Sequence, residues 1–398
     1  MKKVNRVPLV VLVVSASILV ITFMAVFLGG CSNSVTNQGP EDSIPFFALI
    51  PRTGSVIEAY LNYWDVADGK VVKTDKVVYT IPILPPITST TDKAIKAQNF
   101  YNEDHRYSPV YWDGSSTLIL PSFYQPTASV YERTEVWNLV KITGRSTGLG
   151  TTLSVFGKDV EMLAVPDEKS GDYRRYLVKL WDGKEYVEKE LNLNYTVPGT
   201  NYKPLYPLAV ANSEDKLYIL VCGQFNPETG LDLFLCTVDK ATWTLQWKKI
   251  DVKKEASLSV GNPPYTTNTI YFDGSFYLPC SCYCDTAAKV DVGKLTCDRW
   301  DVNIPEQFTP KFSEEFSQFI STPLPSVLGS YENYVIFEKR SDLESYIFAI
   351  DRVGEIASVM HLTYDDGNVE ILNKDGKVLS KASLGQDVSF VFPKPNEE

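Results

Sequence analysis

Two histidines and four methionines in 398 residues leave little imidazole or thioether for acid–base or metal chemistry. Three familiar catalytic signatures are missing as well. There is no Gly-x-Ser-x-Gly elbow, no His-Glu-x-x-His pair and no glycine-rich phosphate cradle. Nor is there a long stretch of apolar residues at helical spacing, which excludes a fold built from parallel β-α-β units. Positive charge is also short: 38 Lys and Arg stand against 49 Asp and Glu, for a net charge of −11. Residues 1–30 carry three cations and no acids, so the remainder has 35 basic against 49 acidic residues, or −14. A surface of that sign excludes nucleic acid and anionic lipid as general partners.

What is present in quantity is strand-forming material. Tyr, Phe and Trp make up 12% of the chain and apolar residues 44%, enough for a large core of β-sheets. Residues 208–252 show the pattern best. Apolar runs at Leu208–Val210, Leu217–Cys222, Leu231–Val238 and Trp243–Ile250 are separated by polar turn clusters, which predicts a four-stranded antiparallel meander. Such a sheet cannot cover its own faces and needs others like it. Asp-Gly pairs at 68–69, 113–114, 182–183, 273–274, 366–367 and 375–376 spread hairpin signals along the whole chain.

One motif recurs: alternating apolar residues, an apolar–Asp pair, a short turn and another strand. It reads AYLNYWDVADGKVV at 59–72, RYLVKLWDGKEYV at 175–187, LFLCTVDKATWTL at 233–245, AAKVDVGKLTC at 287–297 and YIFAIDRVGEI at 346–356. A weaker copy at 136–144 has Thr143 in place of Asp. The turn positions 65, 143, 182, 239, 291 and 351 are on average about 57 residues apart, the length of one four-stranded unit with its loops. The recurring Asp has a structural use, since its carboxylate can hydrogen-bond the turn backbone.

With Leu217-Tyr218-Ile219-Leu220, Val238-Asp239 and Trp243 as its markers, the chain from about residue 44 to 398 resembles β-propellers with kelch-like or quinoprotein-like blades. The resemblance implies an all-β fold, a β-propeller of six (alternatively seven) four-stranded blades. Where a kelch blade has paired glycines, this chain has Cys222-Gly223, and the aspartate box of sialidase-type propellers is missing, so no subfamily is indicated. The final segment, Val369–Phe392, is expected to pair with Phe46–Ile50 and close the ring, which removes exposed sheet edges.

The N-terminus gives an address. Lys2, Lys3 and Arg6 precede an apolar run from Val7 to Leu28, as in an export signal. Leu28-Gly29-Gly30-Cys31 then resembles a bacterial lipobox, which implies that Cys31 begins the mature chain and carries a lipid. An uncleaved signal anchor is the alternative, because such a run is also long enough to cross a bilayer. The expected division is a lipoprotein signal peptide at 1–30, a polar tether at 31–43 and the propeller at 44–398. The chain is then held on the cell membrane, facing outside the cytoplasm.

Six further cysteines lie in that oxidising environment. Cys222 and Cys236 flank Asn226–Gly230 symmetrically and are the disulfide candidates. Cys280, Cys282, Cys284 and Cys297 are harder to assign. Alternate residues of one strand are about 6.8 Å apart, too far for easy bridging. Disulfides, buried thiols and a soft-metal cluster remain open for them, although the Cys-x-Cys spacing is unlike the usual Cys-x-x-Cys knuckle. His105 follows Glu103-Asp104 in a segment read as a solvated loop, and His361 is expected on a strand face. Asp365-Asp366-Gly367-Asn368 reads as a hairpin turn rather than a calcium loop. The seven tryptophans, at 64, 112, 137, 181, 243, 247 and 300, mostly fall at blade-packing positions, though such rings can also stack on sugars.

Two stretches interrupt the repeat: residues 85–108, and Thr309–Ile320. The second has a capping Thr, a Pro at the first helical position, and Phe312, Phe316, Phe319 and Ile320 on one helical face, which predicts a short amphipathic helix. No cofactor is expected. The functional expectation is a lipid-anchored binding or interaction module for a protein or glycan ligand. A hydrolase or lyase of envelope polymers and a structural subunit of an envelope complex are the alternatives.

Overall fold

The structure, a computed structural model, describes residues 43–52, 56–74, 77–82, 111–112, 117–121, 128–133, 137–143, 155–165, 175–181, 185–198, 203–204, 206–226, 230–256, 269–279, 287–318, 324–385 and 388–394. These residues form six antiparallel sheets that follow one another along the chain. The first contains β1 (Ser43–Arg52), β2 (Val56–Asp65) and an outer strand in two pieces, β3 (Lys70–Val72) and β4 (Val77–Pro82). The second contains β5 (Tyr111–Trp112), β6 (Thr117–Pro121), β7 (Ala128–Arg133) and β8 (Trp137–Thr143), and the third β9 (Val155–Gly157), β10 (Val160–Val165), β11 (Arg175–Trp181) and β12 (Tyr186–Asn192).

The meander expected at 208–252 is the fourth sheet. It runs β13 (Pro207–Asn212), β14 (Lys216–Asn226), β15 (Gly230–Asp239) and β16 (Leu245–Lys249). Its last strand starts two residues later than the apolar run, because Trp243 lies in the turn with φ 57°. Two residues, β17 (Asp251–Val252), then leave this sheet and pair in parallel with the outer strand of the fifth. That sheet has β18 (Ile270–Phe272), β19 (Ser275–Pro279), β20 (Ala287–Asp291) and β21 (Thr296–Arg299). The sixth has β22 (Leu324–Tyr331), β23 (Tyr334–Arg340), β24 (Glu344–Asp351) and β25 (Ile356–Thr363), extended by the hairpin β26 (Asn368–Leu372) and β27 (Val378–Ser383).

Packing between the sheets arranges them in a ring. Separate apolar clusters join the third sheet to the fourth (Met162 and Val178 with Ile219 and Phe234), the fourth to the fifth (Leu233 with Phe276) and the fifth to the sixth (Tyr277 and Trp300 with Phe337). A further cluster joins the sixth sheet back to the first, through Ile347 and Met360 against Phe46 and Trp64. Phe47 of the first sheet then meets Trp112 of the second, with ring centroids 4.1 Å apart. The first strands β9, β13, β18 and β22 lie side by side, as the innermost strands of a β-propeller do.

The chain end closes this inner circle. β28 (Ser389–Val391) pairs with Phe47–Leu49 of β1 and becomes the inner strand of the first sheet. Just beyond it, Ser330 N–H donates to the Pro393 carbonyl and Lys394 N–H to the Trp112 carbonyl, at 3.0 and 2.8 Å. The closing strand is therefore shorter than the sequence suggested. Residues 368–383 make the extra hairpin instead, which leans on the outer edge of the first sheet through Ser380 Oγ–H to the Gly69 carbonyl at 2.6 Å.

The recurring Asp does what its turn position predicts. Asp65, Asp239, Asp291 and Asp351 each end the third strand of a sheet. Their carboxylates accept turn N–H groups from Asp68, Thr242, Lys294 and, at Asp351, both Val353 and Glu355. Thr143 is different. It ends β8, a fourth strand paired opposite Ala128, so the degenerate copy at 136–144 marks the wrong strand of its sheet. Alternation of apolar residues is common to third and fourth strands and does not distinguish them. Asp273 and Gly274 both have positive φ, 47° and 68°, and form the two-residue hairpin expected of Asp-Gly.

Two measurements bear on the closure. A Cβ at Gly329 would sit 2.0 Å from the Pro393 carbonyl oxygen. Gly329→Ala should therefore cost about 2–3 kcal/mol in urea unfolding and speed hydrogen exchange at the Ser330 and Lys394 amides. Lys394 is half-buried, and desolvation pushes its ammonium down to about 7. A folded value below the unfolded one means that unfolding takes up a proton between the two. Lys394 thus destabilises fully in acid, and the penalty fades as pH rises from about 7 toward the ordinary lysine value. Lys394→Met should raise the urea midpoint, by more at about pH 6 than at about pH 9.

Candidate functional site

A sheet of four alternating strands starts and ends at the same end, so the connections between sheets emerge on one face of the ring. The turn 341–343 between β23 and β24 opens on that same face, beside the crossover 300–318 that leads from the fifth sheet to the sixth. The described histidine lies here. Register places Lys339, Tyr346, His361, Glu370 and Lys381 in one row across β23 to β27.

His361 is stacked on Tyr346, with centroids 4.4 Å apart and planes 9° from parallel. Its Nε2 lies 2.8 Å from Glu344 Oε2 and its Nδ1 3.7 Å from Glu370 Oε2. An ionised carboxylate can only accept, so Nε2 carries the proton shared with Glu344. Glu370 in turn is bound by Lys381 Nζ at 2.5 Å. Glu344 Oε1 accepts the Lys311 backbone N–H at 2.8 Å. One residue pair away, the Asp342 carboxylate takes both the N–H and the Oγ–H of Ser313.

The charges are tuned by these contacts. Burial is the largest influence on Glu344 and opposes its ionisation, yet the His361 and Lys311 hydrogen bonds together outweigh it and hold the carboxyl below its ordinary range. Glu370 is also held low, chiefly by the Lys381 ammonium. Phe308 packs against Tyr346 and Phe348 with centroids 5.8 Å away in each case, which brings the crossover over the row. The arrangement is a charge ladder that orients an imidazole and pins a loop.

The crossover departs from the helix expected at Thr309–Ile320. Helical structure is limited to a 3-10 turn at Glu306–Phe308 and one α-turn at Glu314–Ser317. Lys311 and Ser313, which would have supplied the first helical turns, give their N–H groups to Glu344 and Asp342 instead. Isolated helices of that length are marginal, so long-range carboxylates win. The buried aromatic of the segment is Phe308, outside the helical pattern.

Cys222 and Cys236 do not form the expected bridge. Both are free and buried, Cys222 in the cluster against the fifth sheet and Cys236 in the cluster against the third. A bulge between Cys222 and Phe225 shifts the register by one residue, so that Cys222 lies opposite Leu233 and Cys236 opposite Ile219. A one-residue slip sends side chains to opposite faces. Cys297 is also buried, opposite Val290. Cys280, Cys282 and Cys284 lie outside the described residues, as do Cys31, His105 and the segment 85–108; among the described residues no group of three metal-ligating side chains occurs.

Asp365–Asn368 is the hairpin turn expected of it, with the Asp366 carboxylate accepting from Thr363 and Asn368. Trp64, Trp112 and Trp300 are buried. Trp243 and Trp247 are half-buried against the cluster of the third and fourth sheets, where Trp247 lies flat on Tyr195 at 4.8 Å. Trp181 is exposed. The Trp137 side chain lies outside the described residues.

No protein-family model matches the sequence, and no curated protein matches it. Among solved structures, Sqt1 of Saccharomyces cerevisiae is similar over 85% of this chain and 86% of its own, at 10% identity and a TM-score of 0.35. The Dos1 propeller is similar over 87% and 73%, at 8% identity and a TM-score of 0.23. A GH74 enzyme of Niastella koreensis is similar over 88% and 74%, at 8% identity and a TM-score of 0.26. Likeness this slight bears on neither site nor activity.

The cysteine assignment has a direct check. Alkylation of the native protein should leave Cys222 and Cys236 unmodified, because burial raises both thiols, Cys222 to about 12, and keeps them un-ionised. In denaturant without reductant both should be alkylated. A peptide linking the two would contradict the register.

Proposed function

We propose that this chain is an exported protein held on the membrane by a lipid on Cys31, with its propeller serving outside the cytoplasm as a rigid binding module. The observation that carries the binding reading is the commitment of His361. Both of its ring nitrogens are turned to carboxylates, 2.8 Å from Glu344 and 3.7 Å from Glu370, and its face is covered by Tyr346. An imidazole held this way orients its neighbours and has no nitrogen directed to a substrate. The turn aspartates are likewise spent on backbone N–H groups. These polar groups hold shape, and a rigid ring with its loops gathered on one face suits recognition. Export and lipid attachment rest on the charged start, the apolar run to Leu28 and the Gly29-Gly30-Cys31 junction.

The ligand is a protein or a glycan; the −14 balance beyond residue 30 speaks against nucleic acid. Thermal unfolding of residues 43–398 with panels of glycans and peptides tests the binding reading. A specific ligand should stabilise the fold by about 2.7 kcal/mol at a hundred times its Kd. Release of sugars or peptides from the panel would place the chain with the polymer hydrolases or lyases instead, and no response to any panel would favour a structural subunit. Export is tested separately: Cys31→Ala should abolish incorporation of labelled fatty acid and release the protein from the membrane fraction.

A further inference from the structure

The crossover between the fifth and sixth sheets is held in two different ways. Up to Pro310 it is part of the core: Trp300, Val302, Phe308 and Pro310 are all buried, and the first three belong to the cluster joining the two sheets. Beyond that point its surface opens to solvent. Lys311, Glu314, Glu315, Ser317 and Gln318 are exposed, and Phe312 and Ser313 are only half-buried. Polar bonds tie this outer half down, among them Lys311 N–H on Glu344 and Ser313 N–H and Oγ–H on Asp342. Its one α-turn, Glu314–Ser317, contributes little order of its own. A plugged base and a carboxylate-latched tip describe a lid.

We propose that residues 311–318 are an acid-released lid, latched onto Asp342 and Glu344 beside the Tyr346–His361 row while those carboxylates are ionised and released when Glu344 takes up a proton.

Glu344 is the central member because it serves both sides. One oxygen holds the lid and the other holds His361. The groups around it are Asp342 in the turn, Lys311 in the lid, Tyr346 on its own strand, Lys339 on β23, His361 on β25, Glu370 on β26 and Lys381 on β27. A protonated carboxyl loses the charge that strengthens both hydrogen bonds it accepts, and charge-assisted bonds are about twice as strong as neutral ones. The direction follows from the bond itself: Lys311 N–H donates to a Glu344 oxygen whose charge strengthens the bond only while the carboxyl is ionised, and the folded carboxyl is held below its ordinary range. Its contribution is complete above the ordinary glutamate value and is lost as pH falls through the lower, folded one. The lid is therefore shut at neutral pH and released in acid. Phe308 lies outside the lid and stays seated on Tyr346 and Phe348 when it opens.

Hydrogen exchange of the full chain, expressed as protection against a denatured reference at the same pH, reads this directly. From about pH 7 to about pH 3.5, protection at 311–318 should fall, by about tenfold for each unit by which the Glu344 carboxyl is lower with the lid closed than with it open. Amides of β14 and β15 should keep theirs. Glu344→Gln, which copies the protonated carboxyl in shape, should show the acid level of protection already at neutral pH, and Asp342→Asn should release Ser313 in the same way. Glu370→Gln leaves both lid contacts in place and should stay closed. Unchanged protection at 311–318 in acid, loss only in step with β14 and β15, or a folded Glu344→Gln protein with a closed lid would each overturn the proposal. The wild-type titration alone decides the matter if a variant does not fold.

Discussion

The apolar faces by which the third, fourth, fifth, sixth and first sheets meet in turn cannot be left in water. That constraint organises everything else. Val178 and Met162 find Ile219 and Phe234, Leu233 finds Phe276, Tyr277 finds Phe337, and Ile347 finds Phe46. Because the sixth sheet must also be covered, the series bends back on the first. Ring closure is thus a packing requirement before it is a hydrogen-bonding one. The three-residue strand β28 completes it by filling the inner place of the first sheet and covering an edge.

Polar residues are subordinate to that frame. The aspartates at 65, 239, 291 and 351 finish third strands by satisfying turn N–H groups that have no ladder partner. β17 couples the fourth sheet to the fifth by pairing in parallel with β21. The same economy holds at the rim of the sixth sheet, where His361 lies between the Glu344 and Glu370 carboxylates and Lys381 binds Glu370. Glu344 remains ionised although burial disfavours it, because two donors meet it.

The crossover 300–318 joins the two levels. Its first half is bought by apolar burial of Trp300 and Phe308 and is as fixed as the sheets it links. Its second half depends on carboxylates that change charge with their surroundings. A segment with few apolar contacts lies at the low-stability end of any fold, and motion is drawn from there. The ring supplies rigidity, and its loop face supplies the response.

Sequence alone determined the class of fold, since period-two alternation and Asp-Gly turns are local properties that each strand and hairpin carries within itself. The Asp at the end of third strands was legible for the same reason: its partners lie two to four residues away. Tertiary structure decided whatever depended on register or distant partners. The bulge after Cys222 turned that thiol and Cys236 to opposite faces, and no local pattern marks a one-residue slip. Thr309–Ile320 carried a helical period, but carboxylates 33 and 29 residues downstream of Lys311 and Ser313 claimed its amides, beyond the reach of any local signal. His361 could be placed on a strand face, while its two carboxylate partners emerged only when β24, β25 and β26 were laid side by side.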